Sequence, residues 1–428
     1  MHQNQDFFIR NITKIEGHAN LSLRVKEGKV EECEFRVTES HRFFEDMIKG
    51  RHFSQIPFIV SRICGLCSSS HLTTSLEAVE HALGIEPSEQ AMQLRRLSIL
   101  GEFIKSHALH LYMLALPDYL GKESVLKFEE SQTHYIQEAL NLKKAGTDIL
   151  AALGGRPHHT VNHRPGYITR PPNLEKVGKL IEQLKAVRSI AQDAVHLFDS
   201  FSKKHSFERE TNFVAIKGEN YPLMEGKAIH CTDGTSVEKE NIMKHLKEFV
   251  IPYGTAKNTE FNGSDYVVGS LARIALNSKQ LHPKAKEAMD ECKTKLPNKS
   301  PFSNNLAQAI EVVHCVELAI EQLEAFIPRK ESRPEIKPKA GTGIGITEAP
   351  RGLLYHTYTF DEKGFVTDGN LIIPTQQNIK SIELDLKDLV PGLLKGTKEK
   401  AELEMEKLIR AYDPCISCSV HFLNVKWL

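Results

Sequence analysis

No apolar run in this 428-residue sequence approaches the roughly 20 residues that a membrane-spanning helix requires. The opening Met1-His2-Gln3-Asn4-Gln5-Asp6 has no basic stretch followed by an apolar one, which argues against a secretory signal and makes cytoplasmic residence the expectation. Net charge is missing too: Lys plus Arg and Asp plus Glu each count 55. A balanced chain has no electrostatic reason to seek nucleic acid or an anionic membrane. There is no internal repeat, no low-complexity tract and no clear linker, so one large domain with insertions is expected. Hydrophobic residues, at 40%, are ample for its core.

What is present is mostly helical pattern. Residues 18–38 are the exception: Leu21, Leu23 and Val25, then Val30, Phe35 and Val37, alternate around the turn Lys26-Glu27-Gly28-Lys29, which predicts a β-hairpin. Between Ser88 and Leu116 the apolar residues Leu97, Leu100, Ile104, Leu111 and Ala115 recur at helical spacing, with Pro117 as the expected stop. A second long helix is expected from Asn173, with Leu174, Val177, Ile181, Leu184, Ala191, Val195 and Phe198 as its stripe. A third spans about 304–326, with Leu306, Ile310, Val313, Ile320 and Leu323 inward, and residues 122–153 also favour helix. Residues 208–280 are broken and polar, and residues 329–395 read as short extended stretches including Leu371-Ile372-Ile373. The fold class is therefore mainly α with minor β: a large helical bundle with an N-terminal hairpin and short peripheral strands. Gly341, Gly343 and Gly345 suggest a phosphate loop, but no lysine follows in Walker position, so they read as turn glycines.

Of the eight cysteines, Cys33, Cys231, Cys292 and Cys315 stand singly and read as small buried hydrophobes. The other four form Arg62-Ile63-Cys64-Gly65-Leu66-Cys67-Ser68-Ser69-Ser70-His71 and Asp413-Pro414-Cys415-Ile416-Ser417-Cys418-Ser419-Val420-His421. Two Cys-x-x-Cys pairs make a four-thiolate site, and soft thiolates select zinc, iron–sulfur or other soft-metal centres. A structural zinc site is the plain reading. Against it, zinc pairs come from nearby in sequence, whereas these lie in the first sixth of the chain and at its end. A chain of this size needs no metal staple. Each pair also carries a histidine and a flanking charge, more polar chemistry than a closed structural site requires.

Arg-x-Cys-Gly-x-Cys-x-x-x-His near the start and Asp-Pro-Cys-x-x-Cys-x-x-His at the end resemble the paired signatures of nickel–iron hydrogenase large subunits. Lys14-Ile15-Glu16-Gly17-His18 and Glu348-Ala349-Pro350-Arg351-Gly352 resemble further family motifs, as do Ser106-His107-Ala108-Leu109-His110 with Pro117-Asp118-Tyr119, and Pro374-Thr375-Gln376-Gln377-Asn378. The resemblance covers essentially the whole chain in order. Arg42-Phe43-Phe44-Glu45 and Ala411-Tyr412-Asp413 look most like the cytoplasmic, bidirectional branch, which includes sulfhydrogenases and viologen- or deazaflavin-linked enzymes.

The resemblance implies that Cys64, Cys67, Cys415 and Cys418 bind nickel, with Cys67 and Cys418 bridging to an iron that carries carbonyl and cyanide. Glu16 then takes the proton that dihydrogen cleavage leaves on Cys415. Arg351 lies over the open metal face, fixed by Asp118 and Asp413. Pro350 and Thr375 seat the diatomic ligands, and His71 orients a thiolate. Glu45, the main-chain carbonyl of Leu371 and His421 hold a magnesium or similar ion. Residues 422–428 are expected to be a tail removed by a maturation protease after nickel-insertion proteins have acted, leaving one domain over 1–421. With no second cysteine set in the chain, an iron–sulfur small subunit is implied, with further flavin or iron–sulfur electron-transfer subunits. The alternatives are a hydrogen sensor, a zinc-bound scaffold, and a quinone-side subunit of the complex I type, which lacks the nickel cysteines.

Overall fold

In the computed structural model, which describes residues 4–421, the alternating segment forms the expected hairpin, Ala19–Lys26 paired with Lys29–Val37. Glu27 and Gly28 both take positive φ, as a two-residue type I′ turn requires. A third strand, Gln5–Ile9, pairs antiparallel with Ala19–Lys26. It escapes sequence reading because Phe7, Phe8 and Ile9 run together as apolar residues although only Phe7 is buried.

Helix makes up 48% of the chain against 19% strand, in agreement with a mainly α bundle edged by small sheets. The first predicted helix runs Glu89–Ala108, capped by the Ser88 hydroxyl, which accepts from Ala91 N–H. Its apolar stripe is buried as predicted. It does not stop at Pro117, however: a π-helical segment, Leu109–Ala115, leads into a last turn, Leu116–Tyr119, that contains the proline. The widened segment takes up the register change that a proline without an N–H imposes. The second predicted helix is two, Leu174–Ala186 and Arg188–Ser202, joined at Val187, whose ψ of 2° breaks the helical path. No glycine or proline marks that joint. Leu174, placed on the stripe, is exposed. Residues 122–133 form short turns, and the helix there begins only at His134–Gly154. The third runs Asn304–Glu324 with its predicted stripe buried.

Several helices lie where the sequence pattern showed none, among them Ser270–Asn277, Pro283–Glu291 and Lys398–Ala411. Ser68–Leu83 follows the first cysteine pair directly and is buried on nearly every side although rich in Ser and Thr. Pro374–Leu393 occupies part of the segment read as extended. The extended reading does hold for the sheet Gly341–Ala349, Gly352–Phe360 and Val366–Ile372. This sheet corrects the reading of the glycine run. Gly341, Gly343 and Gly345 are strand residues, not turn residues. A Cβ on Gly343 would sit 2.1 Å from the Ala78 carbonyl oxygen, and one on Gly345 2.0 Å from that of Thr74. The bare strand lets the Ser68–Leu83 helix lie backbone to backbone against the sheet. No helix among the described residues is long and apolar enough to cross a membrane.

Candidate metal centre

The first cysteine pair belongs to a helix start. Backbone turns at Ser61–Ile63, and Cys67 occupies the N-cap position of Ser68–Leu83. The buried Glu102 carboxylate accepts from the N–H groups of Ser69 (2.6 Å) and Ser70 (2.9 Å) and from the Ser70 hydroxyl. It satisfies donors that a helix start leaves over, where the helix dipole favours negative charge. Cys67 N–H donates to Cys64 Sγ at 3.4 Å.

The second pair follows the helix Lys398–Ala411 with little regular structure of its own. Asp413 takes φ 50°, a left-handed backbone unusual for a residue other than glycine. It is held from several sides. Its carbonyl accepts from Arg351 Nε (2.7 Å), its Oδ1 pairs with Arg351 Nη2 (2.9 Å), and its Oδ2 accepts from Gln308 Nε2 (3.1 Å). Thr375 Oγ1 accepts from Cys415 N–H at 2.9 Å. Glu16 lies alongside in a parallel bridge with Cys415. Its carboxylate accepts from Ser417 N–H (3.0 Å), Ser417 Oγ (2.6 Å) and Cys415 Sγ (3.2 Å). Gly17, at φ 84°, must be glycine: a Cβ would stand 2.7 Å from that of Ile416.

The fold brings both pairs together. The four sulfur atoms lie within 4.8 Å of one another, and all four residues are buried. Cys64 faces Cys415 and Cys67 faces Cys418, each at 3.6 Å. Arg42 staples the two motifs, donating to the carbonyls of Ile63 and Ser417, the residues just before Cys64 and Cys418. Sulfhydryl neighbours, first Cys415, pull the Cys64 thiol well below its ordinary value, while burial pushes that of Cys418 well up. Such a set accommodates one thiolate alone and needs a cation to hold four.

Cys67, Cys415 and Cys418 line a small internal cavity together with His71, Arg351 and Thr375. Arg351 Nη1 is buried there without a partner among the described residues. An orphaned guanidinium donor and four convergent thiols fit a soft-metal centre that carries hydrogen-bond-accepting ligands. Burial holds the His71 imidazole down at about 4. His71 Nδ1 meets His356 Nε2 at 3.1 Å, and His356 Nδ1 meets Tyr358 Oη at 2.8 Å. His356 and Tyr358 sit two apart on one strand face, a link the sequence reading missed. The Pro350 carbonyl accepts from Arg273 Nη2 at 2.9 Å.

Asp118 is not where the sequence reading put it. One carboxylate oxygen pairs with Lys14 and the other accepts from Arg410 Nη1 at 2.6 Å, so Asp413 alone of the two aspartates holds Arg351. The buried Arg410, at the end of its helix, is the nearer cation and captures it. Glu45, Leu371 and His421 do gather. His421 Nε2 is 2.6 Å from the Leu371 carbonyl oxygen and 3.3 Å from Glu45 Oε1. Burial would raise the Glu45 carboxyl, but His421 and Lys257 hold it down at about 2. Lys257 Nζ, 3.0 Å from Glu45 Oε1, is a neighbour the sequence did not signal.

This fold and donor set define a class, and sequence comparison agrees: the chain belongs to the nickel-dependent hydrogenase family, whose profile matches residues 42–138 and 219–421. It is a large subunit of that family, an oxidoreductase acting on dihydrogen. Among its relatives, the sulfhydrogenase 1 alpha subunit of Pyrococcus furiosus is 34% identical over 97% of this chain and 98% of its own length. The beta subunit of the NAD-reducing hydrogenase HoxS of Cupriavidus necator is 27% identical over 96% and 94%. The crystal structure of an NAD+-reducing [NiFe]-hydrogenase in the H2-reduced state superposes with a TM-score of 0.85 at 24% identity, covering 97% of this chain and 99% of that one. Its likeness speaks for the fold.

Proposed function

We propose that this chain splits dihydrogen heterolytically and reversibly at its four-cysteine site, with Cys415 as the first proton acceptor and Glu16 as the second. The observation that carries this is the Cys415 sulfur facing the Glu16 carboxylate at 3.2 Å beside a cavity shared with Arg351. A nickel–iron pair bound by the four thiolates, the iron bearing carbonyl and cyanide, supplies the Lewis acidity that polarises dihydrogen. Cys67 and Cys418 would hold both metals, and Cys64 and Cys415 nickel alone. A terminal thiolate is a base kept deprotonated by ligation. The carboxylate of Glu16 both accepts and donates, as a relay must, and the Ser417 hydroxyl steadies it at 2.6 Å. Arg351, fixed by Asp413, offers its free Nη1 donor to a cyanide and to the polarised substrate. Pro350 and Thr375 would wall the diatomic ligands, and His71 would orient a thiolate.

Electrons leave through an iron–sulfur small subunit and further electron-transfer subunits. The support is that only one group of cysteines placed to hold a metal occurs among the described residues. Glu45, the Leu371 carbonyl and His421 are read as ligands of magnesium. Their donor atoms, 2.6 and 3.3 Å apart, are close to the roughly 3 Å that separates adjacent ligands of an octahedral ion of that size.

Infrared spectroscopy of the protein purified with its native partners is the test. Carbonyl and cyanide stretches are expected. Their absence from nickel-replete protein would refute the bimetallic reading.

A further inference from the structure

Arg351 is the one residue whose guanidinium both lines the cavity and keeps an unspent donor, so its placement within a few tenths of an ångström governs what that donor reaches. Asp413 fixes the head of the side chain. The root is fixed by a different group. Arg273, fully buried, donates from Nη1 to the Ala349 carbonyl (3.0 Å) and from Nη2 to the Pro350 carbonyl (2.9 Å), the two peptide units that lead into Arg351. Nothing else is left to it: Nε and Nη2 also grip Glu311 (2.6 and 2.8 Å), Nη1 reaches Glu348 (3.0 Å) and Nη2 reaches Ser270 (3.0 Å). All five N–H groups of the fork are committed.

Glu311 is anchored in turn. It accepts from Tyr221 (2.5 Å), Ser270 (2.6 Å) and His107 (2.9 Å), so the acceptor that Arg273 grips is itself held by three further side chains. Burial would raise the Glu311 carboxyl, yet Arg273 holds it well below the ordinary range. The backbone beyond is tight as well. A Cβ on Gly269 would lie 3.2 Å from the Arg351 carbonyl oxygen, and one on Gly352 2.4 Å from Val268 Cγ2.

We infer that Arg273, locked by Glu311, is a positioning residue for the dihydrogen reaction: it sets the Ala349–Pro350 peptides and through them the reach of Arg351 over the four-thiolate cavity. This inference rests on the nickel–iron reading of that cavity. A planar fork is needed, because two successive carbonyls and a carboxylate must be met at once, and an ammonium presents its charge as a single point.

The test uses the complete enzyme with its partner subunits. Arg273→Lys keeps the charge and loses the fork. Metal content is expected to stay, the cyanide stretches to shift relative to the unaltered enzyme, and kcat to fall on the order of 10–100-fold, as a misplaced catalytic group does. Unshifted bands with an unchanged kcat would overturn the assignment. So would a loss of metal and of thermal stability together without a band shift, since that marks a merely structural part. If Arg273→Lys does not accumulate, Ser270→Ala decides: it removes one partner from both Arg273 and Glu311, and a smaller shift in the same bands is expected. No shift there, with metal retained, rejects the role. Failure of the nickel–iron reading looks different, because the unaltered enzyme would then show no carbonyl or cyanide bands at all.

Discussion

Cys64 and Cys67 stand at the start of a 16-residue helix whose first turn is closed by one buried carboxylate, Glu102. Cys415 and Cys418 stand in a stretch with a single short 3-10 turn, held by side chains from Glu16, Arg42, Arg351 and Thr375. The first half of the site therefore rides on a regular helix, braced by Glu102 and Arg42, whereas the second has no such helix and depends on long-range contacts alone. A half-site built locally persists when one distant contact is lost. A half-site assembled from four remote segments does not, and its closure is coupled to ligation, since metal binding and the ordering of its ligands share one free energy.

The largest expected effect falls on the second pair. Cys418→Ser removes a thiolate that no helix compensates, and nickel and iron content should drop to background by elemental analysis. Normal nickel content would remove the bridging role and with it the asymmetry. Glu16→Gln comes next. Turnover is expected to fall by about 10²–10⁴-fold, the usual worth of a proton-transfer group, with both metals still bound. Proton–deuterium exchange at the unaltered rate in that variant would show that protons leave by another route. Arg42→Ala tests the link between the halves, because it frees the carbonyls before Cys64 and Cys418 at once. Charged hydrogen bonds of this kind contribute about 1.5–3 kcal/mol, and the loss should appear in denaturant unfolding of the metal-free chain.

Glu102→Gln probes the locally built half and should cost less, roughly 1–2 kcal/mol of stability, with nickel uptake intact. If it abolished nickel uptake while Arg42→Ala did not, the contrast between the halves would be reversed. The smallest effect is one of pH. Burial holds His71 at about 4, His314 at about 4 and His163 at about 3, each below the 6.5 of an open chain. The unfolded chain then binds more protons between those values, so stability falls as pH drops from 6.5 towards 4. In His71→Phe that acid slope should be shallower; an identical slope would place the titrating groups elsewhere.

Much of this was written in the sequence, for identifiable reasons. Helices with one apolar face declared themselves, as at Arg188–Ser202, and so did the hairpin with its Glu27-Gly28 turn. The four cysteines, Glu16, Arg351 and Asp413 stand inside short motifs whose spacing is fixed by the chemistry they surround. What stayed hidden lacked a period or a local partner. The Ser68–Leu83 helix is buried all round by small polar side chains, so it shows no stripe. The glycine run at 341–345 signals a close approach, but its partner, the backbone of residues 74–82, lies far away in sequence. The resemblance assigned Asp118 and Asp413 alike to Arg351, and only the fold shows that Arg410 takes one and Arg351 the other. Arg273 belongs to no motif read from the sequence; its role rests on which carbonyls it reaches.

The bridge between Glu16 and Cys415 has a consequence for how the molecule is made. A ribosome releases the N-terminal strand of that bridge early and its partner almost last. Through nearly all of synthesis the nascent chain holds two thiols and a carboxylate with nothing opposite them. A polypeptide broken off anywhere before residue 415 lacks two of the four thiols of the site, however well its helices have packed. Closure of the four-thiol site is thus a chemical sign that translation reached the far motif.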